Sequence, residues 1–152
     1  MRNHRKTFSA VTAIFLTTCL ARPYLHAQPV RDKILDEVYV TRENDRPAIH
    51  VSLTFPFRYL SHFPPEEGAE LRIRIKPVRI PISDSDAVFK REGIRPDRAD
   101  TVGLIEVLYE GDIDGGPYIT LIFSRSVTYE VIPGTDYRHL TVIAESPQQP
   151  HL

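Results

Sequence analysis

The chain has 152 residues, with 19 Lys and Arg against 20 Asp and Glu and a formal net charge of −1. It carries no excess of cations with which to neutralise phosphates, so general nucleic-acid binding is disfavoured. The single cysteine excludes a disulfide within the chain and any cysteine-cluster metal site.

The first residues point to export. Arg2, Arg5 and Lys6 form a positive n-region, and Thr7 to Ala21 is uncharged and mostly apolar, the pattern of a secretory signal peptide. The run is short for a membrane span, which needs about 20 apolar residues, and Arg22 closes it. Cleavage is expected after Ala27, within Leu25-His26-Ala27, with Ala21 as the earlier alternative. Cys19 lies inside this segment. A lipid anchor on Cys19 is the competing reading, because Leu16-Thr17-Thr18-Cys19 loosely resembles a lipobox but lacks its small residue before the cysteine.

Removing residues 1–27 takes away Arg2, Arg5, Lys6 and Arg22, which leaves 15 Lys and Arg against 20 Asp and Glu, a net charge of −5. What remains, residues 28–152, suits one domain, with its core expected in 28–145. No transmembrane segment is expected in this mature part.

Apolar residues in that part recur at period two, the spacing that places side chains on alternate faces of a strand. Strands are predicted at Ile34–Thr41, Ile49–Phe55, Arg58–Phe63, Leu71–Ile75, Val102–Glu110, Tyr118–Ser124, Val127–Ile132 and Arg138–Ala144. Leu71, Ile73 and Ile75 alternate with Arg72, Arg74 and Lys76, so one face of that strand can enter a core while the other stays solvated. Turn formers punctuate the pattern at Glu43–Pro47, Pro64–Gly68, Asp112–Pro117 and Pro133–Asp136.

The halves 33–77 and 102–145 match each other. At an offset of 70 residues, Ile49, Val51, Leu53, Phe57 and Tyr59 fall on Ile119, Leu121, Phe123, Val127 and Tyr129. After one deletion, Leu71 and Ile73 fall on Leu140 and Val142. The fold class this predicts is all-β, a pseudo-duplicated sandwich of two roughly four-stranded antiparallel sheets. Between the halves, residues 78–101 read as a longer crossover connection or a cover for a sheet edge. Ser85 to Arg91 could form one or two helical turns there, capped by Ser83 or Ser85. Residues 146–152 read as a frayed tail.

The stretches AIHVSLTFPFRYLSHFPPEEGAELRIRI (48–75) and YITLIFSRSVTYEVIPGTDYRHLTVIA (118–144) resemble the AMIN domain of bacterial envelope proteins. In both, an alternating apolar strand leads into a short turn, an aromatic residue, a Pro or Gly turn and a closing apolar strand. The resemblance implies a small sandwich of two four-stranded sheets that targets proteins to peptidoglycan or to envelope assemblies in the periplasm. It carries over no binding residue position by position. The connection 78–101 is longer than a hairpin, which departs from the pattern.

Chemistry-bearing motifs are few. His50, His62, His139 and His151 show no metal-ligand spacing. Asp112, Asp114 and Gly115 imitate the opening of a calcium loop, but Phe123 stands where a bidentate Glu is needed. No Gly-x-Ser-x-Gly elbow accompanies the Ser and His residues. No catalytic residue, metal or cofactor is expected. The candidate ligand-binding residues are Arg72, Arg74 and Lys76, a ladder on one strand face, joined by Arg58 on the preceding strand and extended toward Arg79. Such a stripe can meet carboxylates of peptidoglycan stem peptides or of an acidic partner; the competing reading is a solvated outer face that discourages edge pairing. Tyr59 and Tyr129 read either as core aromatics or as platforms for a sugar ring.

The leader and the lack of catalytic motifs, together with what the AMIN resemblance implies, lead to the expectation of a non-enzymatic periplasmic binding or localisation module for peptidoglycan or a cell-envelope complex. The alternative is an assembly or chaperone-like subunit that adds its edge strands to a partner's sheet.

Overall fold

The computed structural model describes residues 33–80, 85–97 and 99–145. The predicted leader with Cys19, the Ser83 cap, His151 and the predicted tail lie outside the described residues.

Eight antiparallel strands form one hydrogen-bonded sheet, and no helix among the described residues is long and apolar enough to cross a membrane. β1 (Leu35–Glu43) and β2 (Arg46–Leu53) make the first hairpin. Its turn is Asn44-Asp45, with φ of 49° and 63°; two successive left-handed residues match the right-handed twist of the flanking strands. β3 (Phe57–Phe63) and β4 (Glu67–Pro77) make the second hairpin across the Pro64-Pro65 turn. β5 (Arg91–Ile94), β6 (Leu104–Glu110), β7 (Tyr118–Pro133) and β8 (His139–Glu145) complete the set. The spatial order is β1-β2-β8-β7-β4-β3, with β6 on β7 and β5 on β6.

The number of strands agrees with the prediction, but the membership differs. The two strands predicted at Tyr118–Ser124 and Val127–Ile132 are one strand, β7. Ser124-Arg125-Ser126 reads as a break because it is polar and exposed, yet the backbone stays extended through it. The ladder with β4 absorbs the extra residues: Gly68 pairs with Val127, and the next partners are Glu70 and Ile122. The residues before this bulge lie between β6 and β4, and those after it pair with β8.

The predicted helical turns at Ser85–Arg91 are a single 3-10 turn, Ala87–Phe89, followed at once by β5. Ala87 and Val88 are buried, and the Val88 carbonyl accepts a 2.7 Å hydrogen bond from the Tyr109 hydroxyl. That anchor stops the helix. The Gly111 N–H then donates to the Lys90 carbonyl at 2.9 Å, and β5 pairs along the outer edge of β6. Four residues containing Gly93 are too few to show a period, which is why β5 is silent in the sequence.

Alternation places the core as expected. Ile49, Val51, Leu53, Leu71, Ile73, Ile75, Val107, Ile119, Leu121, Leu140 and Val142 are all buried and belong to one cluster. Tyr129 is part of that cluster and Tyr59 packs at its margin. The Tyr129 hydroxyl donates to the Pro64 carbonyl at 3.0 Å, and the Tyr59 hydroxyl bonds with His62 Nδ1 at 2.7 Å.

The ladders repeat along the chain. Ile49 pairs with Val142 and Val51 with Leu140; 70 residues on from 49 and 51, Ile119 pairs with Ile73 and Leu121 with Leu71. In β1–β2 the register steps from Leu35–Leu53 to Glu37–Ser52 and Val38–Val51. In β6–β7 it steps from Leu104–Phe123 to Glu106–Ile122 and Val107–Leu121. β4 pairs with β7, and β8 with β2.

Candidate functional site

The outer face of β3, β4, β7 and β6 gathers the four basic residues singled out in the sequence. Residues two apart on β4 share a face, and residues opposite each other on neighbouring strands share it too. Arg58 faces Lys76, Ser61 faces Arg74, and Phe63 faces Arg72. On the other flank of β4, Tyr118 faces Arg74 and Thr120 faces Arg72. Leu71, Ile73 and Ile75 bury the opposite face, and this fixes the outward aim of the cations. Arg79 lies past the end of β4 and does not extend the row.

The four cations differ in how they are held. Arg72 is half-buried and already partnered. Its Nε donates to Glu70 Oε1 at 3.0 Å, its Nη2 stands 3.6 Å from Glu110 Oε2, and its guanidinium lies 5.9 Å from the centre of the Tyr118 ring. Glu110 is 1% exposed. It also accepts from the Thr120 hydroxyl at 2.6 Å and pairs with Arg91 at 2.9 Å. A buried carboxylate needs such partners to remain in place. Arg72 is thus tied to Glu70 and Glu110 while 42% of its side chain stays exposed.

Arg58, Arg74 and Lys76 are exposed, and among the described residues no salt bridge engages them. Like charges directly opposite on paired strands are destabilising, by a few tenths of a kcal/mol up to about 1 kcal/mol. Arg58 opposite Lys76 is such a pair, with Arg74 two residues along the same strand.

Beside them lies a groove of about 330 Å3 lined by Ser61, His62, Phe63, Arg72, Arg74 and Tyr118. Phe63 is 72% exposed, the most open of the large apolar side chains among the described residues. The His62 ring is held between the Tyr59 hydroxyl at 2.7 Å and the Pro65 carbonyl at 3.0 Å. The groove therefore offers a cation, an aromatic wall and an apolar edge together, which suits a ligand with a negative charge next to an apolar group.

Phe63, Tyr118 and Glu110 were not legible as site residues. Phe63 ends a strand before Pro64-Pro65, and Tyr118 begins one after Pro117. Strand parity does put Glu110 on the face opposite Tyr109, but only the pairing Glu110–Tyr118 brings it beside the basic row.

The other predicted chemistry does not converge. His50 lies on β2 between Thr41 at 2.7 Å and Thr141 at 3.2 Å, and stacks on Tyr39 at 4.6 Å. His139 faces Ser52, two positions along β2 from His50, and its ring contacts Asp136. No group of three metal-ligating side chains forms among the described residues. Asp112 and Asp114 lie in the β6–β7 turn.

No family model matches the chain, and neither a curated protein nor a solved structure matches it.

Proposed function

We propose that the chain is a non-catalytic binding module of the bacterial cell envelope, a duplicated two-sheet sandwich that holds carboxylate groups on the basic face of one half. The observation that carries this reading is the like-charged pair Arg58–Lys76 flanked by Arg74, none of them in an ion pair among the described residues.

The repeated registers support the duplication, and the duplication supplies a control. Under the offset that superposes the ladders, Arg58 and Lys76 correspond to Thr128 and Glu145, which also face each other. Arg74 corresponds to Ile143 and Arg72 to Thr141. One half thus builds the same ladder without a cation at the positions of Arg58, Arg74 and Lys76, so the ladder itself does not call for these three. Concentrating positive charge on one half of an otherwise acidic chain is a feature a ligand explains.

The AMIN resemblance and the expected leader direct the choice of ligand to peptidoglycan, whose stem peptides carry carboxylates beside methyl groups. Arg58, Arg74 and Lys76 would take the carboxylates, and Phe63 and Tyr118 would cover the apolar parts. The working place is the periplasm, and the mechanism is surface recognition without bond chemistry. The test is pelleting of the purified protein with isolated peptidoglycan sacculi, with and without reversal of Arg58 and Lys76.

A further inference from the structure

A second groove, of about 270 Å3, lies between β3 and the β7–β8 turn, lined by Arg58, Tyr59, Pro133, Tyr137 and His139. The start of β3 is tied to that turn, because the Phe57 N–H donates to the Tyr137 carbonyl at 2.7 Å. At the end of β2, the Leu53 N–H donates to the Arg138 carbonyl at 3.0 Å. Arg58 belongs both to this groove and to the basic row, so the two surfaces are continuous.

Tyr137 is an unusual residue for its place. Among the described residues, positive φ outside glycine occurs at Asn44, Asp45 and Tyr137. Asn and Asp tolerate the left-handed region, whereas a bulky side chain there is strained. At Tyr137 φ is 60°, and the ring is 55% exposed. The backbone is held on both sides of it: the Asp136 carboxylate accepts the Arg138 and His139 N–H groups at 3.0 and 3.2 Å, beside the Phe57 bond to Tyr137 itself. Neither the exposure nor the φ favours a tyrosine for folding. A ligand lying on the ring does, and strain of this kind gathers at ligand sites.

We propose that this groove takes one sugar ring of the peptidoglycan strand, the ring that carries the stem peptide, stacked on Tyr137. A sugar ring offers C–H groups on its faces and polar groups at its rim. An exposed tyrosine ring and Pro133 match the first, and Arg58 and His139 the second. The row supplies the direction. From Lys76 to Arg72 it runs about 13 Å at about 3.3 Å per residue, close to the reach of about four extended peptide residues. A stem peptide is amide-linked to its sugar at one end and carries its free carboxylates beyond, so a peptide lying on the row puts its sugar past one end. The groove at the Phe63 end is lined by two cations, Arg72 and Arg74, and the groove at the Tyr137 end by Arg58 alone. The charged end of the peptide therefore belongs at Phe63 and the uncharged sugar at Tyr137.

This placement rests on the reading of the basic row as a stem-peptide site, and two ligands separate the two claims. NMR titrations of the intact purified protein, carried to about 10 mM ligand so that a Kd of about 1 mM registers, compare the N-acetylated stem tetrapeptide with the same peptide on its disaccharide. The disaccharide form should bind about tenfold more tightly. Tyr137→Gly, at a φ that glycine takes freely, should erase that gain and leave the affinity for the bare peptide as it was, while Tyr137→Phe should keep the gain. No shift from the disaccharide form, equal affinity for the two ligands, a gain that survives Tyr137→Gly, or loss of peptide binding along with the gain would each overturn the sugar groove. Arg74→Glu with Lys76→Glu, neither of which lines the groove, should weaken the bare peptide. If it does not, while the gain still depends on Tyr137, the row is overturned and the sugar groove stands.

Discussion

Arg72 Nη2 stands 3.6 Å from the buried carboxylate of Glu110, and Arg91 closes on the same carboxylate at 2.9 Å from the opposite side. This network ties β4 to β5 through β6 and β7. Of the four predicted ligand cations, Arg72 alone is held in ion pairs among the described residues, while Arg58, Arg74 and Lys76 form none. Glu110→Ala should strand the buried Thr120 hydroxyl and both guanidinium groups. A loss of about 2 kcal/mol is expected, within the range for an unsatisfied buried donor and discounted because both arginines reach solvent. The check is the shift in urea midpoint at unchanged slope.

Gly111 lies at the crossing of β6 and the 3-10 turn. A Cβ there would sit 1.8 Å from the Val88 carbonyl oxygen. Backbone is the obstacle, so no side-chain rotation relieves it. Gly111→Ala should destabilise by about 2 kcal/mol or more. Tyr109→Phe, which only removes the donor to that same carbonyl, should cost about 1 kcal/mol. Reversal of this order in thermal unfolding would contradict the packing described.

The β7–β8 turn responds to acid. The Asp136 carboxylate accepts the N–H of Arg138 at 3.0 Å and of His139 at 3.2 Å, and its other oxygen contacts the His139 ring. The Arg138 backbone N–H is the largest single cause that holds the carboxyl below its usual range, with desolvation opposing it and the contacts of His139 adding to it. A depressed folded value means a contribution complete above the unfolded value of about 3.9 and lost as pH falls through the folded one. Asp136→Ala should lower the melting temperature at neutral pH, and the difference should close in acid below about pH 4. A difference constant with pH would rule this origin out.

Period-two alternation made the core faces of β2, β4, β7 and β8 legible, together with the outward row Arg72, Arg74 and Lys76. It failed in two places. A bulge of exposed polar residues, Ser124-Arg125-Ser126, reads as a turn, because sequence cannot distinguish a polar kink inside a strand from a break. β5 is defined by its ladder with β6 and by the anchor on Val88, both tertiary. The site divided likewise. The cations were visible as a periodic row, but their inequality follows from Glu70, two positions before Arg72 on the same strand, and from Glu110, which only strand register brings alongside.

The central claim rests most directly on co-sedimentation of the purified protein with peptidoglycan sacculi at low and high salt. The expected result is pelleting at low salt, weakening at high salt as the exposed charges are screened, and loss on Arg58→Glu with Lys76→Glu in a variant that unfolds at the same urea midpoint. Absence of pelleting at either salt, or pelleting that the double reversal leaves unchanged, would contradict it.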